Sequence, residues 1–146
     1  MGENTENTIE AIVDKTIPIA IEKVYDAWLN PESLKSWFGP PGHVVTNAEL
    51  DIRIGGFYTI AMRSPENQTY TLTGKFIEII PIKKLVYTWR WDQSELGDYD
   101  TEVSVDFISI SNSTRIVIHH QKFRTAEHCE GHKVGWEGSI ERLKFL

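Results

Sequence analysis

The sequence holds a single cysteine, Cys129, among its 146 residues. One thiol excludes an intrachain disulfide and suits a reducing compartment. No apolar run is long enough to cross a bilayer, and the opening stretch MGENTENTIEAIV has no basic region leading into an apolar one. Neither a spanning helix nor a secretory leader is therefore expected, and a cytoplasmic location follows as the expectation. Basic charge is also short: fifteen Lys and Arg face twenty-one Asp and Glu, a net charge of −6. That balance gives no attraction to phosphate backbones or anionic lipid, so nucleic acid and membrane are not expected partners. Several chemical signatures are missing as well. There is no glycine-rich phosphate loop, no H-E-x-x-H pair, and no evident carboxylate pair or nucleophilic triad. No catalytic residue or cofactor is expected, and enzymatic activity is the weaker reading.

What is present is a chain of 40% apolar and 25% charged residues, enough for one domain over residues 1–146 with a core, of which residues 1–8 are expected to be a flexible lead-in. Residues 9–19 alternate like a strand until Pro18 removes a backbone donor. Ile21, Val24, Tyr25, Trp28 and Leu29 then recur at helical spacing. Asn30 followed by Pro31 ends that helix and caps a second one over residues 31–37, stopped by Gly39-Pro40-Pro41-Gly42. Six strands are predicted next, near 44–54, 57–63, 69–80, 84–91, 100–110 and 114–123, separated by turn clusters too short for helical crossovers. The sheet must be antiparallel. After Thr125, an N-cap, His132, Trp136, Ile140 and Leu143 step along one face of a long final helix. The fold class is α+β: seven antiparallel strands curled around a C-terminal helix, with two short helices after the first strand.

Alternation assigns the inward faces. Leu85, Tyr87, Trp89 and Trp91 share one side of their strand, Val103, Val105 and Phe107 one side of the next, and Ile116, Ile118 and His120 one side of the last. Thr88, Arg90, Ser104, Asp106, Val117, His119 and Gln121 take the opposite faces. Large aromatics therefore converge on the helix, around either a filled core or a cavity.

The Trp37-Phe38-Gly39-Pro40 turn, the Asp51-Ile52-Arg53-Ile54-Gly55-Gly56 hairpin, the Leu85-Val86-Tyr87-Thr88-Trp89 strand, the Thr114-Arg115-Ile116 strand reaching His120, and His132-x-x-Gly135-Trp136 with Leu143 resemble, in order, the homologues of the activator of the heat-shock-protein-90 ATPase. These AHSA-type proteins belong to the START-like, birch-pollen-allergen-like superfamily (SRPBCC), and the resemblance covers about residues 9–146. It implies the helix-grip fold and a hydrophobic tunnel between sheet and C-terminal helix. Gly131, Gly135 and Gly138 depart from a rigid helix, since glycine in a helix interior costs ~1 kcal/mol against alanine.

Binding of a small hydrophobic molecule, in a carrier or sensor role, is the expected function. Its expected walls are Trp37 and Phe38 at the mouth, Phe57, Tyr87, Trp89, Trp91, Val105, Phe107 and Ile118 on the sheet, and Trp136, Ile140 and Leu143 on the helix. His120 is the expected polar anchor. Trp37, Phe38 and Trp136 have a bland alternative as core plugs. Asp51 with Arg53 reads as a solvated ion pair, and Gly55-Gly56 as a turn. His128, Cys129 and His132 suggest a metal by spacing, with His119 or His120 to complete it, but no metal is expected on so glycine-rich a helix. The alternatives to ligand binding are a chaperone partner, as the family's name suggests, and a cyclase- or hydrolase-like enzyme. A homodimer is compatible with the exposed sheet edges.

Overall fold

The computed structural model describes residues 9–146; the lead-in expected over residues 1–8 lies outside the described residues. Strand β1 (Ile9–Ile17) leads into α1 (Ile21–Leu29) and α2 (Pro31–Trp37). Strands β2 (Val44–Leu50), β3 (Phe57–Arg63), β4 (Thr69–Ile80), β5 (Lys84–Trp91), β6 (Thr101–Ile110) and β7 (Ser113–Phe123) precede α3 (Ala126–Leu143). All strands join one sheet in the order β1-β7-β6-β5-β4-β3-β2. Every neighbouring pair is antiparallel. Register shifts that leave an extra residue in β7, β2 and β4 add local twist, and the sheet curls around α3.

The local signals act as their chemistry dictates. Asn30 Oδ1 accepts from the backbone N–H groups of Glu32 and Ser33 at 2.9 and 3.4 Å, with Pro31 at the first helical position. Thr125 Oγ1 accepts from His128 N–H at 3.0 Å and opens α3. Strand β2 is shorter than expected. The chain leaves it at Leu50, and Gly55 takes φ +86°, so that Asp51 N–H reaches Phe57 O at 3.0 Å and Gly56 N–H reaches Arg53 O at 2.8 Å. Within that turn Arg53 Nε donates to Asp51 Oδ2 at 2.8 Å, and both side chains are solvated.

The inner face carries Leu85, Tyr87, Trp89, Trp91, Val103, Val105, Phe107, Ile116, Ile118 and His120, all buried. They pack against Val24, Ala27 and Trp28 of α1, Leu34 and Trp37 of α2, and Trp136, Ile140 and Leu143 of α3. Each such aromatic contributes several kcal/mol to the core. Phe57 corrects an expectation: it is 71% exposed. It sits opposite Lys75 on the outer face, while Tyr58, Ile60 and Met62 are the residues of β3 that point inward. A one-residue offset reverses the face, and here the pairing of β3 with β4 sets it.

Candidate ligand cavity

The tunnel between sheet and helix is not uniformly open. Beneath α1 and α2 it shrinks to a void of about 20 Å³ bordered by Trp28, Leu34, Tyr58, Phe76, Tyr87 and Trp89, room for about one water. Toward the N-terminal half of α3 it widens into a cavity of about 480 Å³ open to solvent, within the ~300–1,000 Å³ usual for small-molecule sites. One wall is β5 and the loop after it, with Trp89, Trp91, Glu95 and Leu96. A second is the end of β3 and start of β4, with Met62, Ser64, Glu66 and Tyr70. The turn after α2 contributes Phe38, Gly39, Pro40 and His43, and α3 contributes Glu127, His128, Gly131, His132, Gly135, Trp136 and Ser139.

The Trp37-Phe38 pair is divided between two tasks. Trp37 ends α2, is 1% exposed, donates from Nε1 to Ala27 O at 3.2 Å, and tilts against Trp28 with ring centroids 4.6 Å apart. It is a core plug. Phe38 is the first residue past the helix, with extended backbone (φ −81°, ψ 135°); its ring meets Trp37 edge to face at 5.5 Å and borders the cavity beside Trp89 and Trp136.

The turn that follows is clamped to α3. Gly39 N–H donates to Ser139 Oγ at 3.1 Å, and Ser139 Oγ donates to Gly39 O at 3.0 Å. Arg142 Nε donates to Trp37 O at 3.2 Å, and its terminal nitrogen reaches Gly39 O. Close approach explains one of the helix glycines: a Cβ on Gly138 would lie 3.3 Å from Pro41 Cγ. Gly131 is different. A Cβ there meets nothing within 4 Å, because Gly131 borders the open cavity. The glycines that weaken α3 as an isolated helix thus admit the Pro-Pro turn and leave space in the cavity.

His120 is fully enclosed and does not line the cavity. Trp136 Nε1–H donates to its Nδ1 at 3.1 Å, which leaves the proton on Nε2 to be donated to Thr101 Oγ1 at 2.8 Å; that hydroxyl donates onward to Trp89 O at 3.0 Å. Both ring nitrogens are therefore spent on protein, and the anchor role expected for His120 gives way to a buried bridge between β6, β7 and α3. Burial, reinforced by the neighbouring His132, holds the His120 imidazole well below its usual pKa.

His132, by contrast, borders the cavity. It accepts from Trp91 Nε1–H at 2.8 Å on Nε2 and donates from Nδ1 to His128 O at 2.7 Å. Burial lowers its pKa too. His128 Nδ1 in turn lies 2.9 Å from the Tyr99 hydroxyl, and among the described residues no group of three His, Cys, Asp or Glu is placed to hold a metal. Cys129 is buried with Ala11 and Phe123. Trp89 Nε1 is buried without a hydrogen-bond partner among the described residues, a donor left unpaired in the cavity wall.

Of the expected walls, Phe38, Trp89, Trp91 and Trp136 border the cavity, and Tyr87 borders only the small void. Trp37, Val105, Phe107, Ile118, Ile140 and Leu143 are packed in the core, and Phe57 faces outward. The reason is depth: side chains near the middle of β6, β7 and the C-terminal half of α3 meet one another, while the space lies toward the other end. Residues missed by the sequence reading include His43, Tyr70, Leu96 and Ser139. Only tertiary contacts bring them together, although Gly131 and Gly135 one turn apart were a visible sign of a bare helix face.

This architecture defines the helix-grip class. The match to the family described as "Activator of Hsp90 ATPase homolog 1-like protein" covers residues 18–146, and the chain belongs to that family. Solved structures agree in fold. A protein of Chromobacterium violaceum is 24% identical, with 94% of this chain and 95% of that one covered at a TM-score of 0.83. One of Nitrosomonas europaea is 22% identical, with coverage of 94% and 92% and a TM-score of 0.81. The AHSA1 protein of Silicibacter pomeroyi is 23% identical, with coverage of 93% and 95% and a TM-score of 0.79. No curated protein matches the sequence. No helix among the described residues is long and apolar enough to cross a membrane.

Proposed function

We propose that the protein binds a small, largely apolar molecule in the cavity between the turn after α2 and the first half of α3, in a carrier or sensor role. The observation that carries this reading is the aromatic-walled space of about 480 Å³ beside an otherwise closely packed core. Phe38, Trp89, Trp91 and Trp136 supply flat apolar surface, and the clamp from Ser139 and Arg142 to Gly39 holds the turn in place, so little ordering entropy is left to oppose binding.

The test is a thermal-shift and native mass spectrometry screen against fatty acids, flavonoids, sterols and polycyclic aromatics, run in parallel on Gly131→Phe. A ligand that binds the native state raises the melting temperature with concentration. The phenylalanine occupies the open side of Gly131, so the shift is lost in the variant. A shift of equal size in both proteins would remove the cavity as the site.

A protein-partner reading, in the sense of the family's name, has one observation in its favour. Ile54 and Phe57 stand 67% and 71% exposed beside the turn between β2 and β3, more apolar surface than a hairpin needs. Binding to a purified heat-shock ATPase that is lost in Phe57→Ser would favour it, and the absence of such binding would set it aside.

A further inference from the structure

The charged residues that border the cavity are all of one sign. Glu66 comes from the turn between β3 and β4, Glu95 from the loop after β5, and Glu127 from the first turn of α3. They reach the mouth from three separate elements. None of the three is in an ion pair found among the described residues. Among the described residues no Lys or Arg borders the space. Arg142, the cation packed beside the turn, is committed to the carbonyls of Trp37 and Gly39, and Arg124 lies over the Tyr99 ring at 4.3 Å. His132 at the wall accepts from Trp91 Nε1–H on Nε2, and burial opposes its protonation.

Beneath that acidic mouth the wall is aromatic. Ring faces carry negative quadrupole charge and attract cations.

From these observations we infer that the cavity selects a cationic ligand: a flat apolar body carrying a protonated amine, with the body against Trp89, Trp91 and Trp136 and the ammonium group at the mouth among Glu66, Glu95 and Glu127. An anionic amphiphile such as a fatty acid would meet three like charges there. This inference rests on the cavity being a ligand site, as proposed above, and adds the charge of the ligand.

The test uses three probes of one shape: 4-phenylbenzylamine, 4-phenylbenzyl alcohol and 4-phenylbenzoate, titrated into the full chain and followed by calorimetry and tryptophan fluorescence. The expected result is that the amine binds about ten-fold tighter than the alcohol, and the carboxylate more weakly than either. The preference should shrink between about 0.02 M and about 0.5 M salt, because the mouth is solvated. In the combined variant Glu66→Gln, Glu95→Gln, Glu127→Gln the amine should lose its advantage over the alcohol.

If amine and alcohol bind equally, or the preference survives in the triple variant, charge selection is overturned and the cavity reading stands. If none of the probes binds at millimolar concentration, the cavity reading fails and charge selection fails with it. These outcomes separate the two.

Discussion

Replacing His120 by leucine isolates the buried bridge that His120 forms. The substitution keeps most of the volume but removes the acceptor for Trp136 Nε1–H and the donor to Thr101 Oγ1. Thr101 retains its bond to Trp89 O, so the principal loss is one indole N–H left unpaired in a buried position. That costs about 1–3 kcal/mol. The penalty also depends on pH, and the sign follows from the depressed pKa of the folded imidazole. Below about pH 6.5 the unfolded chain takes up a proton that the folded chain refuses, so wild-type stability falls as pH falls. One unit below that pH the loss from His120 is on the order of 1 kcal/mol. His120→Leu lacks this loss, so its deficit against wild type should narrow by about that amount between pH 7.5 and 5.5.

Urea denaturation at the two pH values measures both quantities. A double-mutant cycle with Trp136→Phe, which removes the N–H donor, should give a coupling of about 1 kcal/mol. A deficit below about 0.5 kcal/mol at the higher pH, or a deficit that does not narrow at the lower one, would refute the bridge and its neutral tautomer.

Other perturbations have equally definite outcomes. Ser139→Ala removes both hydroxyl bonds to Gly39 and leaves a buried N–H unpaired, so stability should fall by about 1–3 kcal/mol, and exchange of the Gly39 amide should quicken. Gly131→Ala should stabilise the protein by ~1 kcal/mol in thermal unfolding, since its Cβ enters open space, whereas Gly138→Ala should give no gain because its Cβ presses on Pro41 at 3.3 Å. His132→Asn should flatten the part of the acid-side stability loss that His132 contributes below about pH 6.5, because its folded pKa is also depressed by burial; an unchanged pH profile would argue that His132 is already charged in the folded protein.

The elements were legible wherever a local signal decides them. Asn30 with Pro31 and Thr125 mark helix starts through bonds within their own first turns, and the alternation from Leu85 to Trp91 gives the inward face of β5 directly. The antiparallel pairing of β2 through β7 followed from short connections, which leave hairpins as the available path, whereas nothing local places β1 beside β7. The site was less legible because contacts distant in sequence define it. Trp37 and Phe38 are adjacent, yet the end of α2 falls between them and sends one ring into the core and the other toward the cavity. His120 was correctly placed inward by periodicity, but its partners Thr101 and Trp136 lie on other elements, and nothing local shows that both nitrogens are taken. Phe57 stands at a strand end, where a single residue of register decides its face. The helix glycines looked like weakness until Pro41 and the open cavity appeared against them.

The most direct measurement is a fluorescence titration of the wild-type protein and Gly131→Phe with 4-phenylbenzyl alcohol. Three of the five tryptophans, Trp89, Trp91 and Trp136, border the cavity, so occupancy should change their emission. A saturable change in the wild type that vanishes in a variant of unimpaired folding is the predicted result. A change of the same midpoint in both proteins, or none in the wild type, would contradict the assignment of the cavity as a ligand site.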